Sequence, residues 1–484
     1  PPPATRNPQS ADAVSPMSPA PIDTTPGADE VLFLPLGGTG EIGMNLNLYG
    51  HDGHWLIVDI GITFGGDAFP DYDVLMADPA FIASRRQRLA GIVLTHAHED
   101  HVGAIAYLWK RLRCPVYATP FTAAIARFKL ARAGLDDVPL YELPLGARVE
   151  VGPFGVEYIG MTHSIPEPNA LLITTPAGAV FHTGDWKLDD GPVVGARYDL
   201  QRLRGLRREP LLAMVCDSTN AVVPGSTGSE SGLLAPLREL VEDASGRVVV
   251  TSFASNIARL VTLARVAEAT GRHFGVIGQA MERMVAVARA TGHWPEDLPP
   301  LVDAQHLGYL PREEVLAACT GSQGEPRSAL WRMAADSHRD ILLDPGDTVI
   351  FSSKLIPGNE RPVEQVQARL RALGIELVTD ADAHVHVSGH PAAADLGRLY
   401  DWVQPPAVVP THGTPRHLRA NADIALGCHV PRVAVVENGD ICRLAPDGPR
   451  VLGQVPTGRL GLGVDGRLEP VPPAVLAEMR AHQC

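Results

Sequence analysis

Apolar runs in this chain repeatedly stop on an ionisable residue. "LIVD" closes on Asp59, "IVLTH" on His96, "VEYIGMTH" on His163, "AVFHTGD" on Asp185, "LLAMVCD" on Asp217 and "AVVPTH" on His412. Short continuous apolar runs predict buried strands, and in α/β sheets ligands gather at the carboxyl ends of strands. One such end alone is more often a satisfied core or turn residue. Six of them point to a shared site.

Between these ends the pattern predicts two kinds of texture. From Glu30, "EVLFLPLGGTGEIGMNLNLYGHDGHWLIVDIG" reads as strands joined by Gly-rich turns. "VGAIAYLWKRL" is an amphipathic helix, and "FTAAIARFKLARAG" a helix ended by Gly134. Strands follow near "RVEVGPFGVEYIG" and "ALLITTPAGAVFHTGD". From 223 to 385 helices and strands alternate, as in "RVVVTSF", "NIARLVTLARVAEATG", "HFGVIG" and "AMERMVAVARATG". In the second of these, Ile257, Leu260, Val261 and Ala264 share a face. Alternation predicts a parallel sheet with helices on both faces, hence a second α/β domain. "AVVPTHG" then resumes the earlier style, so residues 223–385 are expected to be inserted between a first part, 30–222, and a second part, 386–484, of one domain. "VAVVENGDICRL" reads as a hairpin turning at Asn438-Gly439.

Composition narrows the class. The 484 residues are 45% hydrophobic and 20% charged, which allows a sizeable core. The net charge of −14 excludes a protein coated in basic charge for non-specific nucleic-acid binding, but not a local basic groove. The six cysteines lack CxxC spacing and read as reduced thiols of a cytoplasmic protein. No run reaches the ~18 apolar residues of a membrane span, so no membrane partner is expected. Residues 1–29, rich in Pro, Ser and Ala, read as a disordered tail.

The densest chemistry lies in "LTHAHEDHVGAIAYL". His96, His98, Asp100 and His101 form an HxHxDH pattern of imidazoles and a carboxylate, the ligands that borderline metals such as zinc prefer. With the strand ends they suggest two metals. His96, His98 and His163 can hold one ion, Asp100, His101 and His412 the other, and Asp185 can bridge them through its two oxygens. Such a pair stabilises both the attacking and leaving oxygens of an in-line displacement. Asp59 is expected to orient a ligand histidine from behind. Ligand types put zinc first and manganese second.

Further motifs carry a family resemblance. The HxHxDH loop, His163, Asp185 and His412 resemble the metallo-β-lactamase fold, and "CDSTNA", "VHVSGH" and "PTHG" around the insertion resemble its β-CASP nucleic-acid branch. "GGTGEIGMN", "THSIPEP", "FHTGDWKLD", "TSFASNIARL", "TGSQGEP" and "SSKLIPGNE" resemble bacterial ribonuclease J closely, from about residue 31 to 465. The resemblance implies an α/β protein, an αββα sandwich with an inserted β-CASP domain. It implies the same seven metal ligands as the spacing argument. The β-CASP acid and histidine motifs fall on Asp217 and His390, and His386, Ser388 and His390 are implied to face an RNA phosphate. The implied activity is metal-dependent 5′-to-3′ exoribonuclease action from monophosphorylated ends, with endonuclease action, in mRNA turnover and rRNA maturation. Attack of water on phosphorus leaves a 5′-phosphate and a 3′-hydroxyl. His390, held by Asp217, is the candidate acid for the leaving oxygen, with Asp185 the central carboxylate.

Other features are read from the residues. "SFASN", "TGSQGEP" and "IPGNE" each precede a helix, whose first N–H groups favour phosphate, although ordinary capping fits equally. Ser255 and Asn256 are the candidates there, and Arg327, Lys354 and Arg361 could add positive charge. The chain departs from the family at Thr414 in "THGT", where Glu is expected, and at Gln279-Ala280, where an Arg-Ser pair is expected. It stops at Cys484, before the further C-terminal domain usual in the family, so a homodimer is expected rather than a tetramer. RNA is the expected substrate and RNA-degradation complexes are implied partners. The alternatives are a small-molecule hydrolase of glyoxalase II or lactonase type, against which the long insertion stands, and a non-catalytic RNA-binding relative, which would have lost ligands.

Overall fold

The computed structural model describes residues 24–476 apart from 66–68, 70, 357, 464 and 473. Two sheets pack face to face. The first has eight strands in the order Arg450–Gln454, Asp440–Ala445, Val31–Gly37, Leu46–His51, His54–Val58, Leu89–Val93, Val116–Ala118 and Leu140–Glu142. The second has seven, in the order Arg432–Val433, Ala407–Thr411, Leu211–Asp217, Gly178–His182, Asn169–Thr175, Phe154–Gly160 and Arg148–Val151. Alternation along each strand decides the layers. Phe33, Tyr49, Leu56, Val58 and Val93 of the first sheet meet Val156, Tyr158, Leu171, Val180 and Val215 of the second. The intervening residues face outward. Leu32, Leu34 and Ile57 share a core with Ile105, Leu108 and Phe121 of covering helices, while Leu172, Phe181 and Met214 pack on Leu396, Leu399 and Tyr400. The result is the expected αββα sandwich.

After Asp217 the chain leaves the second sheet and builds a separate five-stranded one. Its order is His273–Ile277, Val315–Cys319, Val248–Thr251, Thr348–Phe351 and Glu376–Val378, all parallel. Both faces are covered, as alternation of helix and strand requires: Val248 and Val250 join one core and Val249 the other. The chain then returns through the helix Ala393–Val403 to Ala407–Thr411, beside the strand it left.

Two expectations are corrected. Residues 432–445 do not form a hairpin. Arg432–Val433 pairs in the second sheet, whereas Asp440–Ala445 pairs in the first, so the chain crosses between layers and turns at Asn438-Gly439 to do so. Nor does the tail reach residue 29: Pro26 is buried, and Pro26 and Gly27 carbonyls accept from Gly53 and Asp52 N–H at 2.7 and 3.0 Å. Residues 1–23 of that tail lie outside the described residues. Among the described residues no helix is long and apolar enough to cross a membrane.

Candidate active site

The six strand ends converge at one end of the sandwich, with Val58 level with Val93 in the first sheet and His182, Val215 and Val409 level in the second. Two of them, Asp59 and His412, take left-handed backbone conformations, with φ of 64° and 51°. Such conformations are costly for non-glycine residues and cluster at functional sites. Here they are held by Asp59 N–H to Val93 carbonyl at 3.0 Å and His412 N–H to Gly38 carbonyl at 2.8 Å. Glycine admits the metal-loop backbone beside Asp59: a Cβ on Gly61 would lie 1.7 Å from the Asp100 carbonyl oxygen.

Two groups of donor atoms result. His96, His98, His163 and Asp185 each offer one ligand atom within 4.8 Å of the others, and so do Asp100, His101, Asp185 and His412. Asp185 is common to both. Its Oδ2 lies 3.1 Å from His101 Nε2, 3.8 Å from His96 Nε2 and 3.9 Å from His163 Nε2, and its Oδ1 lies 3.5 Å from His412 Nδ1. The far side of most rings is spoken for. His96 Nδ1 meets the Thr95 hydroxyl at 2.9 Å, His101 Nδ1 donates to Asp59 Oδ2 at 2.7 Å, and His163 Nδ1 donates to the Gly389 carbonyl at 2.5 Å. Partners of this kind fix the tautomer and turn the other nitrogen's lone pair inward. Gly389 permits that approach, since a Cβ there would lie 2.6 Å from the His163 ring.

The donor set fits divalent cations. Ligand atoms about 2.0–2.1 Å from a tetrahedral ion stand about 3.3 Å apart. His98 Nδ1 lies 3.1 Å from His96 Nε2 and 3.0 Å from His163 Nε2, a spacing that crowds three nitrogens round one point. Burial holds all three imidazoles below their ordinary value, His98 at about 4, so they are neutral, as a metal ligand must be. Burial also opposes charge on His101 and His412, but Asp185, with Asp100 and either Asp59 or Asp217, outweighs it and raises both, His412 to about 10. Asp59, Asp185 and Asp217 are buried, and among the described residues no Lys or Arg pairs with them. With no Lys or Arg there, the positive charge these buried carboxylates need is left to protonated His101 and His412 or to bound cations.

Beside this cluster His390 Nδ1 donates to Asp217 Oδ2 at 2.8 Å and lies 3.9 Å from Asp185. Thr219, which sequence reasoning missed, links Asp217 Oδ1 at 2.8 Å to His412 Nδ1 at 2.7 Å. The segment around His386 and Ser388 is not a strand, yet burial alternates along it: Val385 and Val387 are buried, His386 and Ser388 partly exposed. The Ser388 hydroxyl accepts from Asn220 at 2.7 Å, and Lys354 donates to the same Asn220 side chain at 3.2 Å. Asn256 has the structural job: it is buried and its side chain accepts from Arg259 N–H at 2.9 Å, capping the helix Ile257–Thr270. Ser255 is partly exposed on the same turn. Of the departures, Thr414 sits against His417 Nδ1 at 2.9 Å at the start of Pro415–Gly427, and Gln279 and Ala280 are exposed at the start of Gln279–Ala290.

The fold and donor set together define a metallo-hydrolase of the metallo-β-lactamase type with an inserted β-CASP domain, and comparison with known proteins agrees. Residues 43–207 match the family model of the metallo-beta-lactamase superfamily, 245–370 that of the ribonuclease J beta-CASP domain, and 381–426 that of the Zn-dependent metallo-hydrolase RNA specificity domain. The chain is similar to ribonuclease J of Sinorhizobium meliloti, 46% identical over 89% of this chain and 77% of the relative. It is 40% identical to ribonuclease J of Mycolicibacterium smegmatis over 88% and 76%, and 36% identical to ribonuclease J 1 of Streptococcus pyogenes over the same shares. A crystal structure of a protein of unknown function from Enterococcus faecalis V583 shares the fold, with a TM-score of 0.59 at 16% identity over 86% of this chain and all of that one. The chain belongs to the ribonuclease J family of metal-dependent ribonucleases.

Proposed function

We propose that this chain removes nucleotides from RNA in the 5′-to-3′ direction, prefers a 5′-monophosphate end and also cuts internally. The observation that carries the reading is that two donor groups share Asp185 while His390 stands 3.9 Å from the same carboxylate. His96, His98 and His163 would hold one divalent ion, Asp100, His101 and His412 a second, and Asp185 both, with zinc first and manganese second by ligand type. Bound ions of this kind activate water and neutralise charge on the phosphate. The protein's own part is orientation and proton transfer. Asp59, Thr95 and the Gly389 carbonyl hold the imidazoles in place. Asp217 holds His390 through Nδ1, which leaves Nε2 to deliver a proton to the departing ribose 3′-oxygen. His386 and Ser388 face the phosphate, with Lys354 behind Asn220.

One observation favours a second reading of His390: with Asp217, Asp185 and His412 it makes a third possible donor group. There it would hold metal rather than donate a proton. The setting we propose is RNA turnover and rRNA maturation in the cytoplasm, by a homodimer working with other RNA-degrading proteins. Light scattering reads the assembly, a dimer mass supporting it and a monomer or tetramer contradicting it. Labelled RNA carrying a 5′-monophosphate or a 5′-triphosphate tests the activity. Faster loss of the monophosphorylated strand from its 5′ end supports the reading, and equal rates with nucleotide release from the 3′ end contradict it.

A further inference from the structure

Away from the metal cluster, cations and aromatic rings interleave where the insertion meets the sandwich. The helix Pro120–Arg132 of the sandwich packs there against Gln279–Ala290 of the insertion. The guanidinium of Arg283 lies 4.3 Å from the ring centre of Phe128, and that of Arg132 lies 5.8 Å from the same ring. Tyr107, 37% exposed, shares the field of Glu99 and Arg132. Lys129 gives its ammonium to Glu99, at 2.6 and 2.7 Å from the two carboxylate oxygens. Glu99 stands in sequence between His98 and Asp100, so this seam begins at the metal loop itself.

The charges do not balance locally. Glu99 faces Arg283, but it is already paired with Lys129. Burial and the like charge of Arg132 both depress Arg283. Two guanidinium groups on one ring, in a chain of net charge −14, fit an anionic occupant. Cationic grooves with interleaved rings suit single-stranded nucleic acid, whose phosphates pair with the cations while bases stack on rings and guanidinium planes. The sequence hid this patch: Phe128 and Arg132 share one predicted helix, and Arg283 lies on another far along the chain.

We propose that Phe128, Arg132, Arg283 and Tyr107 form a track for single-stranded RNA, holding the nucleotides downstream of the one being removed. The proposal rests on the ribonuclease reading above. The metal-loaded full chain is compared with an Arg132→Gln/Arg283→Gln double variant on a 5′-monophosphorylated trinucleotide and on a long single strand. KM for the long strand should rise about tenfold and the slope of log affinity against log salt should fall by about 1.4, two phosphates at about 0.7 each. The trinucleotide, with only two nucleotides downstream of the one removed, should lose less. Unchanged KM and slope on the long strand overturn the proposal, as does an equal loss on both lengths. An Arg132→Lys/Arg283→Lys variant keeps the charge and should keep the salt slope; if it loses as much as the Gln variant, packing is at stake and the track is wrong. Fluorescence anisotropy of the long RNA on metal-free protein reads the track independently of turnover. Wild-type protein that binds the strand with the full slope but never cleaves it overturns the ribonuclease reading and leaves the track standing.

Discussion

Asp217 holds the His390 imidazole at 2.8 Å across the two ends of the inserted domain. Asp217 closes the strand that leads into the insertion, and His390 lies in the segment that leads out of it. Their contact therefore depends on the insertion folding back onto the sandwich. The same closure brings the Gly389 carbonyl onto His163, so the segment 386–390 and a metal-ligand candidate are set by one event.

His390→Ala should lower RNA cleavage by about 10²–10⁴-fold, the usual worth of a general acid, while both metals stay bound. The loss should shrink on a nitrophenyl phosphodiester, whose leaving group needs no proton. Equal loss on both substrates reduces His390 to a binding residue, and a fall in metal content favours its role as a ligand.

A second closure depends on Arg259, which is fully buried. Its guanidinium donates to Glu230 at 2.5 and 3.1 Å, to the Ser352 carbonyl at 2.7 Å and to the Val385 carbonyl at 3.2 Å. It thus ties the entry, the core and the exit of the insertion together, one residue before His386. Glu230→Gln leaves that buried cation without its counter-charge and should destabilise by about 3–5 kcal/mol. An Arg259→Met/Glu230→Met double variant should recover most of it. Urea unfolding checks both, and a Gln variant as stable as the parent would show the pair to be dispensable.

Acid should loosen the same junction. Burial alone would raise Asp189, but the Lys187 ammonium at 3.0 Å and the Ser229 hydroxyl hold it below the usual carboxylate range. Its folded value is depressed, so its contribution is complete above the ordinary Asp value near 4 and is lost as pH falls through the folded one. Asp189→Asn should therefore be less stable than the parent at neutral pH, and the gap should narrow below about pH 4. A gap that is constant with pH contradicts the ion pair's role.

Much of this was legible in the chain because burial and chemistry left periodic marks. The six strand ends were visible because continuous apolar runs stopped on ionisable residues, and the insertion because its helices and strands alternate. The crossing near Asn438 was not, since a turn between two apolar runs looks the same whether they pair together or in different sheets. Thr219 and Asn220 gave no sign, being short polar residues in a loop whose partners lie 193 and 168 positions away. Arg259 did leave a signal: it is the first charge in a helix apolar nearly all round, and a charge there needs a partner. The phosphate role suggested for Asn256 gave way to capping, which the same residue types serve.

The central claim is that the two donor groups joined through Asp185 hold the metals that RNA cleavage requires. Metal analysis of purified wild-type and Asp185→Ala protein, alongside hydrolysis of end-labelled RNA, tests it directly. The expected result is two divalent ions per wild-type chain, fewer in the variant, and no cleavage by the variant or by chelated wild type. Full cleavage by Asp185→Ala in chelator-treated buffer would contradict it.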